Sequence, residues 1–167
     1  MSTSYLRFDK DSPELQALDA WWRSLDDNRG DRAELRRCGT LAEVVFTPAY
    51  HRLRQTICRC GAVHDDGLAL VAGLAARVKN NVMDHTVAEQ MAIGKSKDDS
   101  AKVSGLRFRR LLKVKEREEF FTAMGRVIAL LGGTVNLQSL AQSAYFWNDI
   151  TRKQWAFDYY SQAPSEK

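Results

Sequence analysis

The sequence predicts an all-α fold in two helical parts, and three observations carry that prediction. Only three prolines and ten glycines fall among 167 residues, while the good helix formers Ala, Leu, Arg and Glu are abundant. Capping residues repeatedly stand just before apolar residues spaced three and four apart. No strand-period alternation survives over a useful length, and no internal repeat or low-complexity tract is evident.

The elements follow in order. Ser12-Pro13-Glu14 supplies an N-cap, a first-turn proline and an acid suited to the positive end of a helix dipole. Leu15, Leu18, Trp21, Trp22 and Leu25 then make one apolar face, and Asn28 to Gly30 stops the helix. Asp31 is expected to cap a short helix running to Arg37, with Gly39 ending it. Thr40 opens a short piece over 41–46, and Thr47-Pro48 starts a helix to about Arg59, broken by Gly61. Asp65 and Asp66 read as cap and dipole partner for 68–78, which is apolar almost all round and so reads as the buried central helix. Lys79 and Asn80 close it, and 81–94 is expected to continue as a weaker helix. The small, polar GKSKDDSAKVS at 94–104 reads as a linker between an N-terminal bundle at 1–93 and a C-terminal one at 105–167. Ser104 caps the helix beginning at Gly105. Another spans about 116–131, with Phe120, Phe121, Met124, Val127, Ile128 and Leu131 on one face and Gly132-Gly133 at its end. Asn136 starts the next, to Trp147, and Asp149 or Thr151 starts the last, to about Tyr160.

Length and composition bound the class. The chain suits one domain, or two small ones sharing a core. At 44% hydrophobic residues it can build a core, which argues against a fully disordered chain. Mean hydropathy is −0.41 and no long uncharged apolar run exists, so no membrane span is expected. The opening MSTSYLRFDKDSPEL lacks the apolar core of a signal peptide. Three cysteines, an odd number, suit a reducing compartment, and a cytoplasmic protein is expected.

The net charge of +4 conceals a segregated pattern. Residues 1–28 carry −3, 29–37 carry +2, 38–94 are neutral, 95–117 carry +6 and 118–167 carry −1. One short stretch therefore holds more positive charge than the whole chain. It is either a footprint for a polyanion or a solvated loop and helix face.

At about 100° per residue, Phe108, Leu111 and Leu112 fall on one side of a helix through 106–117. Arg109, Arg110, Lys113 and Arg117 fall opposite, with Arg107 at the margin. Leu106 and Val114 leave the stripe and Lys115 would face the core, so this helix is expected to end near Lys113 or Val114. Guanidinium groups make forked hydrogen bonds to phosphate oxygens and stay charged, so such a face suits a nucleic-acid backbone. An anionic membrane surface would suit it less, because the apolar side is short and holds no Trp. Further basic groups are Arg29, Arg32, Arg36 and Arg37; then Arg52, Arg54 and Arg59; then Arg152-Lys153. Each is also what an ordinary salt-bridged surface would show.

Other constellations carry less. Cys58 and Cys60, with His64 and Cys38, could offer four metal ligands, but zinc sites usually leave two to four residues between paired cysteines. His51 and His85 are isolated, Asp98-Asp99 belongs to the linker, and no P-loop, GxSxG, HExxH or GxGxxG is present. No cofactor or metal is expected. Trp21, Trp22, Trp147, Trp155 and Tyr159-Tyr160 could stack on bases, yet at helical spacing they read better as core.

Several runs together resemble one family. Trp21-Trp22-Arg23 followed by LDDNRGDRAELRRC resembles the opening of the CasB family, the small subunit of the type I-E CRISPR surveillance complex Cascade. The likeness continues through Pro48-Ala49-Tyr50-His51-Arg52-Leu53, the central helix ending Lys79-Asn80-Asn81-Val82, SGLRFRRLL at 104–112 and DITRKQWAFDYY at 149–160. It spans about Trp21 to Tyr160. The resemblance implies an all-helical protein of two small bundles packed together, with no enzymatic activity. It implies subunits assembled head to tail, touching the other Cascade subunits and holding target and displaced DNA strands, with guide RNA nearby. Carried onto matching positions, it implies phosphate contacts at Arg36, Arg37, Arg52, Lys79, Arg107, Arg110, Arg117, Arg152 and Lys153. Arg32 and Arg109 are added from helical geometry alone.

The expected function is thus a non-catalytic nucleic-acid-binding subunit that stabilises an opened duplex by neutralising phosphates. One rival is a protein scaffold whose basic faces meet acidic proteins. Another is a small zinc enzyme built on Cys58, Cys60 and His64.

Overall fold

The computed structural model describes residues 5–94 and 100–164. The Asp98-Asp99 pair and much of the expected linker lie outside the described residues. Among those described are ten helices and one pair of two-residue strands, so the fold is all-α.

Most elements start where capping chemistry places them. In α1 (Pro13–Ser24) the Ser12 hydroxyl accepts from Leu15 N at 3.2 Å. Its inner face buries Leu18, Trp21 and Trp22. Both indoles find acceptors: Trp21 donates to Ala49 O at 2.9 Å and Trp22 to Val78 O at 3.0 Å. α2 (Arg29–Arg37) departs from expectation. It begins at Asn28, without a side-chain cap, and Asp31 lies inside the first turn. The Asp31 carboxylate is taken by Arg52, which leaves it no part in capping. α3 (Leu41–Val45) and α4 (Pro48–Ile57) are capped by Thr40 and Thr47.

The central helix α5 (Asp65–Ala75) is buried at every residue from Gly67 to Ala75. Its cap is His64, and Asp65-Asp66 act only as first-turn acids. His64 Nδ1 accepts from Gly67 N at 3.0 Å, and His64 N donates to the Tyr145 hydroxyl at 2.8 Å.

The stretch 81–94 is not one weak helix. β1 (Asn80–Asn81) runs into α6 (Val87–Ala92), which is closed by a capping box: Thr86 Oγ1 accepts from Glu89 N, and Glu89 accepts from Thr86 N. β1 pairs in parallel with β2 (Thr134–Val135), Asn80 opposite Thr134 and Asn81 opposite Val135. Two residues are too few to show a period, which is why no strand is visible in the sequence.

After Ser104 comes α7 (Gly105–Leu112), then α8 (Arg117–Leu130), α9 (Leu137–Tyr145) and α10 (Asp149–Gln162). Buried side chains from Leu6 to Tyr159 make one hydrophobic core. Its main contacts join the two halves of the chain, with α5 against α8 and α9 and α6 against α10. The segment before α1 also enters this core. Leu6 and Phe8 are buried, Tyr5 bridges Ala62, and Gln138 donates to Phe8 O at 2.8 Å.

Candidate nucleic-acid interface

The basic helix is pinned by its apolar side. Phe108 and Leu111 of α7 are buried, and Phe108 stacks on Tyr159 of α10 with ring centroids 3.9 Å apart. The Tyr159 hydroxyl donates to Val103 O at 2.6 Å. With that side committed, Arg107 and Arg110, three residues apart, turn outward together. They line a groove of about 370 Å³ against α8, which contributes Arg126. Leu111, Val114, Ala123, Val127 and Leu130 complete the lining.

Two more depressions adjoin this groove. The second shares Arg126 with the first and adds Arg77 and Phe121. The third shares Arg77, Gly125 and Ala129 with the second and adds Arg36, Lys79, Gly132 and Gly133. They run into one another across the outer face of α8. The result is one track holding Arg107, Arg110, Arg126, Arg77, Arg36 and Lys79, with no Asp or Glu among the described residues of its lining. Gly133 has φ of +76°, and a Cβ there would meet Lys79 Cγ at 2.8 Å. Only glycine fits that turn, and the fit lays the lysine stem along the track.

The cations divide into two kinds. Arg107, Arg110 and Arg126 make no side-chain hydrogen bond or ion pair among the described residues, so no direct partner there offsets their mutual repulsion. Arg77 is a clamp. It donates to Gly73 O and Cys38 O at 3.0 Å and to Arg36 O at 3.3 Å, and lies 4.7 Å from the Phe121 ring centroid. Burial pulls its pKa down from the ordinary arginine value. Arg36 donates to Ala76 O at 3.0 Å. The pair ties the C-terminal ends of α2 and α5 together, where helix dipoles favour cations.

The other expected residues lie elsewhere. Arg32, only 15% exposed, pairs with Asp26 at 2.7 Å and reaches Trp22 O. Arg52 pairs with Asp31, and Arg152 pairs with Asp149. Arg37, Arg109 and Lys153 are exposed but line none of the three depressions. Arg117 corrects the helical-wheel reading: α7 stops at Leu112, and Arg117 opens α8 with its Nε buried. There it counters the burial that pushes the Tyr145 phenol up.

Two track residues escaped the sequence reading. Arg77 sits in a run that reads as wholly apolar. Arg126 is a single charge after Glu118 and Glu119, on a helix judged by its core face. The signal for it was there: the core face of α8 leaves Thr122, Arg126 and Ala129 outside, and Arg126 is the only charge among them.

Among the described residues no three His, Cys, Asp or Glu side chains gather to hold a metal ion. Cys38 is buried, Cys58 exposed and Cys60 half-buried, and the His64 Nδ1 lone pair is occupied by Gly67 N. Trp21, Trp22, Trp155 and Tyr159 belong to the core. A separate apolar stripe stands outside on α10, at Ile150, Phe157 and Tyr160. No helix among the described residues is long and apolar enough to cross a membrane.

Comparison with known proteins places this geometry. The family model for the CRISPR-associated protein Cse2 matches residues 31–160. The chain is similar to a chain of E. coli Cascade bound to a PAM-containing double-stranded DNA target, at TM-score 0.72 and 18% identity, over 92% of this chain and 97% of that one. It is similar to CasB from Thermus thermophilus at TM-score 0.67 and 22% identity, over 90% and 99%. A CRISPR-associated protein of the Cse2 family, also from Thermus thermophilus, gives TM-score 0.66 at 22% identity, again over 90% and 99%. At these identities the structural matches speak for the fold. Among curated proteins no match is found.

Proposed function

The chain belongs to the Cse2 family of CRISPR-associated proteins, and on that premise we propose that it is a non-catalytic, nucleic-acid-holding subunit of a Cascade complex. It grips target and displaced DNA strands through phosphates and stabilises the opened duplex, with guide RNA as a further polyanion in reach. Sequence choice then rests with guide pairing, so the subunit needs no base code. The observation that carries this reading is the acid-free track of Arg36, Arg77, Lys79, Arg107, Arg110 and Arg126 across α8. Binding there releases counterions from the strand and is favoured at low salt. Arg37, Arg52, Arg109, Arg152 and Lys153 widen the grip at its margins, while Arg32 and Arg117 act from less exposed positions. The partners are the other Cascade subunits and a neighbouring copy arranged head to tail. The apolar stripe on α10 supports a protein contact on a helix that lines none of the three depressions.

Charge reversal tests this reading against a pure scaffold. Arg107→Glu, Arg110→Glu and Arg126→Glu together are expected to abolish DNA binding in fluorescence anisotropy. Helical circular dichroism and co-elution with the other Cascade subunits should persist. A variant that loses docking yet still binds DNA would replace this reading with the scaffold.

A further inference from the structure

We propose that the α7–α8 groove seats one unpaired nucleobase, making it a single-strand subsite within the basic track. The inference deepens the phosphate-holding reading and rests on it.

A phosphate site alone needs no apolar floor, yet this groove has one. Leu111, Val114, Val127 and Leu130 line it together with Arg107, Arg110 and Arg126. Leu130 is 43% exposed, an apolar surface amid three cations. That combination matches a nucleotide: a flat apolar ring carried on an anionic backbone. Aliphatic side chains and guanidinium planes both pack on the face of a base, and every base has such a face. The volume of about 370 Å³ lies at the lower end of the range of small-molecule sites, about 300–1,000 Å³, which suits one nucleotide.

Among the described residues, arginines are the only side chains of the lining that can hydrogen-bond a base edge: it holds no Asn, Gln, Ser, Thr, Asp, Glu or His. With those guanidinium groups engaged by phosphates, seating rests on the base face and is tolerant of sequence, as a guide-directed complex requires. Stacked base pairs cover the faces this floor would touch, so a duplex gains only the phosphate contacts. Glu119 gives the strand a direction. It lies seven residues before Arg126 on the same side of α8, about 10 Å away at about 1.5 Å per residue. Its charge repels phosphates at that end, so the strand leaves the groove toward Arg77 and Lys79.

The test uses the full chain at low salt and two strands of equal length and charge: oligothymidine and its abasic counterpart. Both carry the same phosphates and only one carries bases. Oligothymidine is expected to bind about five- to tenfold tighter. Leu130→Gln, which changes no charge at an exposed position, should bring its affinity to that of the abasic strand and leave abasic binding unchanged. Ala123→Gln, which fills the groove with a polar side chain and no ring, should do the same. Equal binding of the two strands by the parent protein would overturn the base seat and leave the phosphate reading standing. A preference that survives both variants would also overturn it. If neither strand binds, the phosphate reading fails with it.

Discussion

Replacing Arg107, Arg110 and Arg126 together by glutamine is expected to flatten the salt dependence of single-strand binding. Six cations line the track, but Arg77 and Arg36 already give hydrogen bonds to backbone carbonyls. Lys79, Arg107, Arg110 and Arg126 remain for phosphates. Each phosphate neutralised on a single strand contributes about −0.7 to the slope of log K against log salt, so four give about −2.8. Between about 50 and 200 mM salt the track's own share of the loss in affinity should be about fiftyfold. Within the track the triple glutamine variant keeps Lys79 alone, so that share of the slope falls to about −0.7 and of the loss to about threefold, the marginal cations adding equally to both proteins. Anisotropy of a dye-labelled oligonucleotide across a potassium chloride series reads both slopes. The triple lysine variant keeps the charge and should keep the steep slope. A glutamine variant with the parent's slope, or a parent with none, would refute the assignment of these side chains to phosphates.

Three further outcomes concern the frame that holds the track. Arg77→Met removes donors to three carbonyls and should cost about 2–3 kcal/mol in urea unfolding. Gly73→Ala places a Cβ 2.7 Å from Phe121 Cε2 on the ring that carries Arg77, and should cost about 1–3 kcal/mol; Phe121→Leu in the same chain should restore part of the loss. Hydrogen bonding from Thr86 holds the Glu89 carboxyl below its ordinary pKa, so its stabilising effect is complete above that ordinary value and fades as pH falls through the lowered one. Urea midpoints at neutral and acid pH should show a smaller acid loss in Glu89→Gln than in the parent.

The basic helix was legible because the centre of α7 is amphipathic: Phe108 and Leu111 inward, Arg107 and Arg110 outward. Capping chemistry located most helix starts for a similar reason, since Ser12, Thr40, Thr47, Ser104 and Asn136 each accept from a nearby backbone N–H. What stayed hidden depends on contacts between distant residues. Asn80 pairs with Thr134, and Arg77 meets the carbonyls of Arg36 and Cys38. His64 caps α5 in place of Asp65, and no side chain caps α2; Asp65 and Asp31 pair instead with Arg54 and Arg52, partners that are distant in sequence. Arg126 was missed because a lone charge on a mostly apolar helix has no pattern; it acquires meaning only when α7 brings two arginines alongside.

The interleaving of the two halves has a consequence for synthesis. Val87, Ala88, Met91 and Ala92 of α6 are covered chiefly by α10. About 70 residues separate the end of α6 from the end of α10. At about 5–20 residues per second, translation takes roughly 4–14 s to supply that cover. Throughout that interval the nascent chain presents an apolar surface on α6, and α5 waits likewise for α8 and α9. A ribosome stalled before Trp155 would hold out an adhesive half-protein, whereas release of α10 seals it.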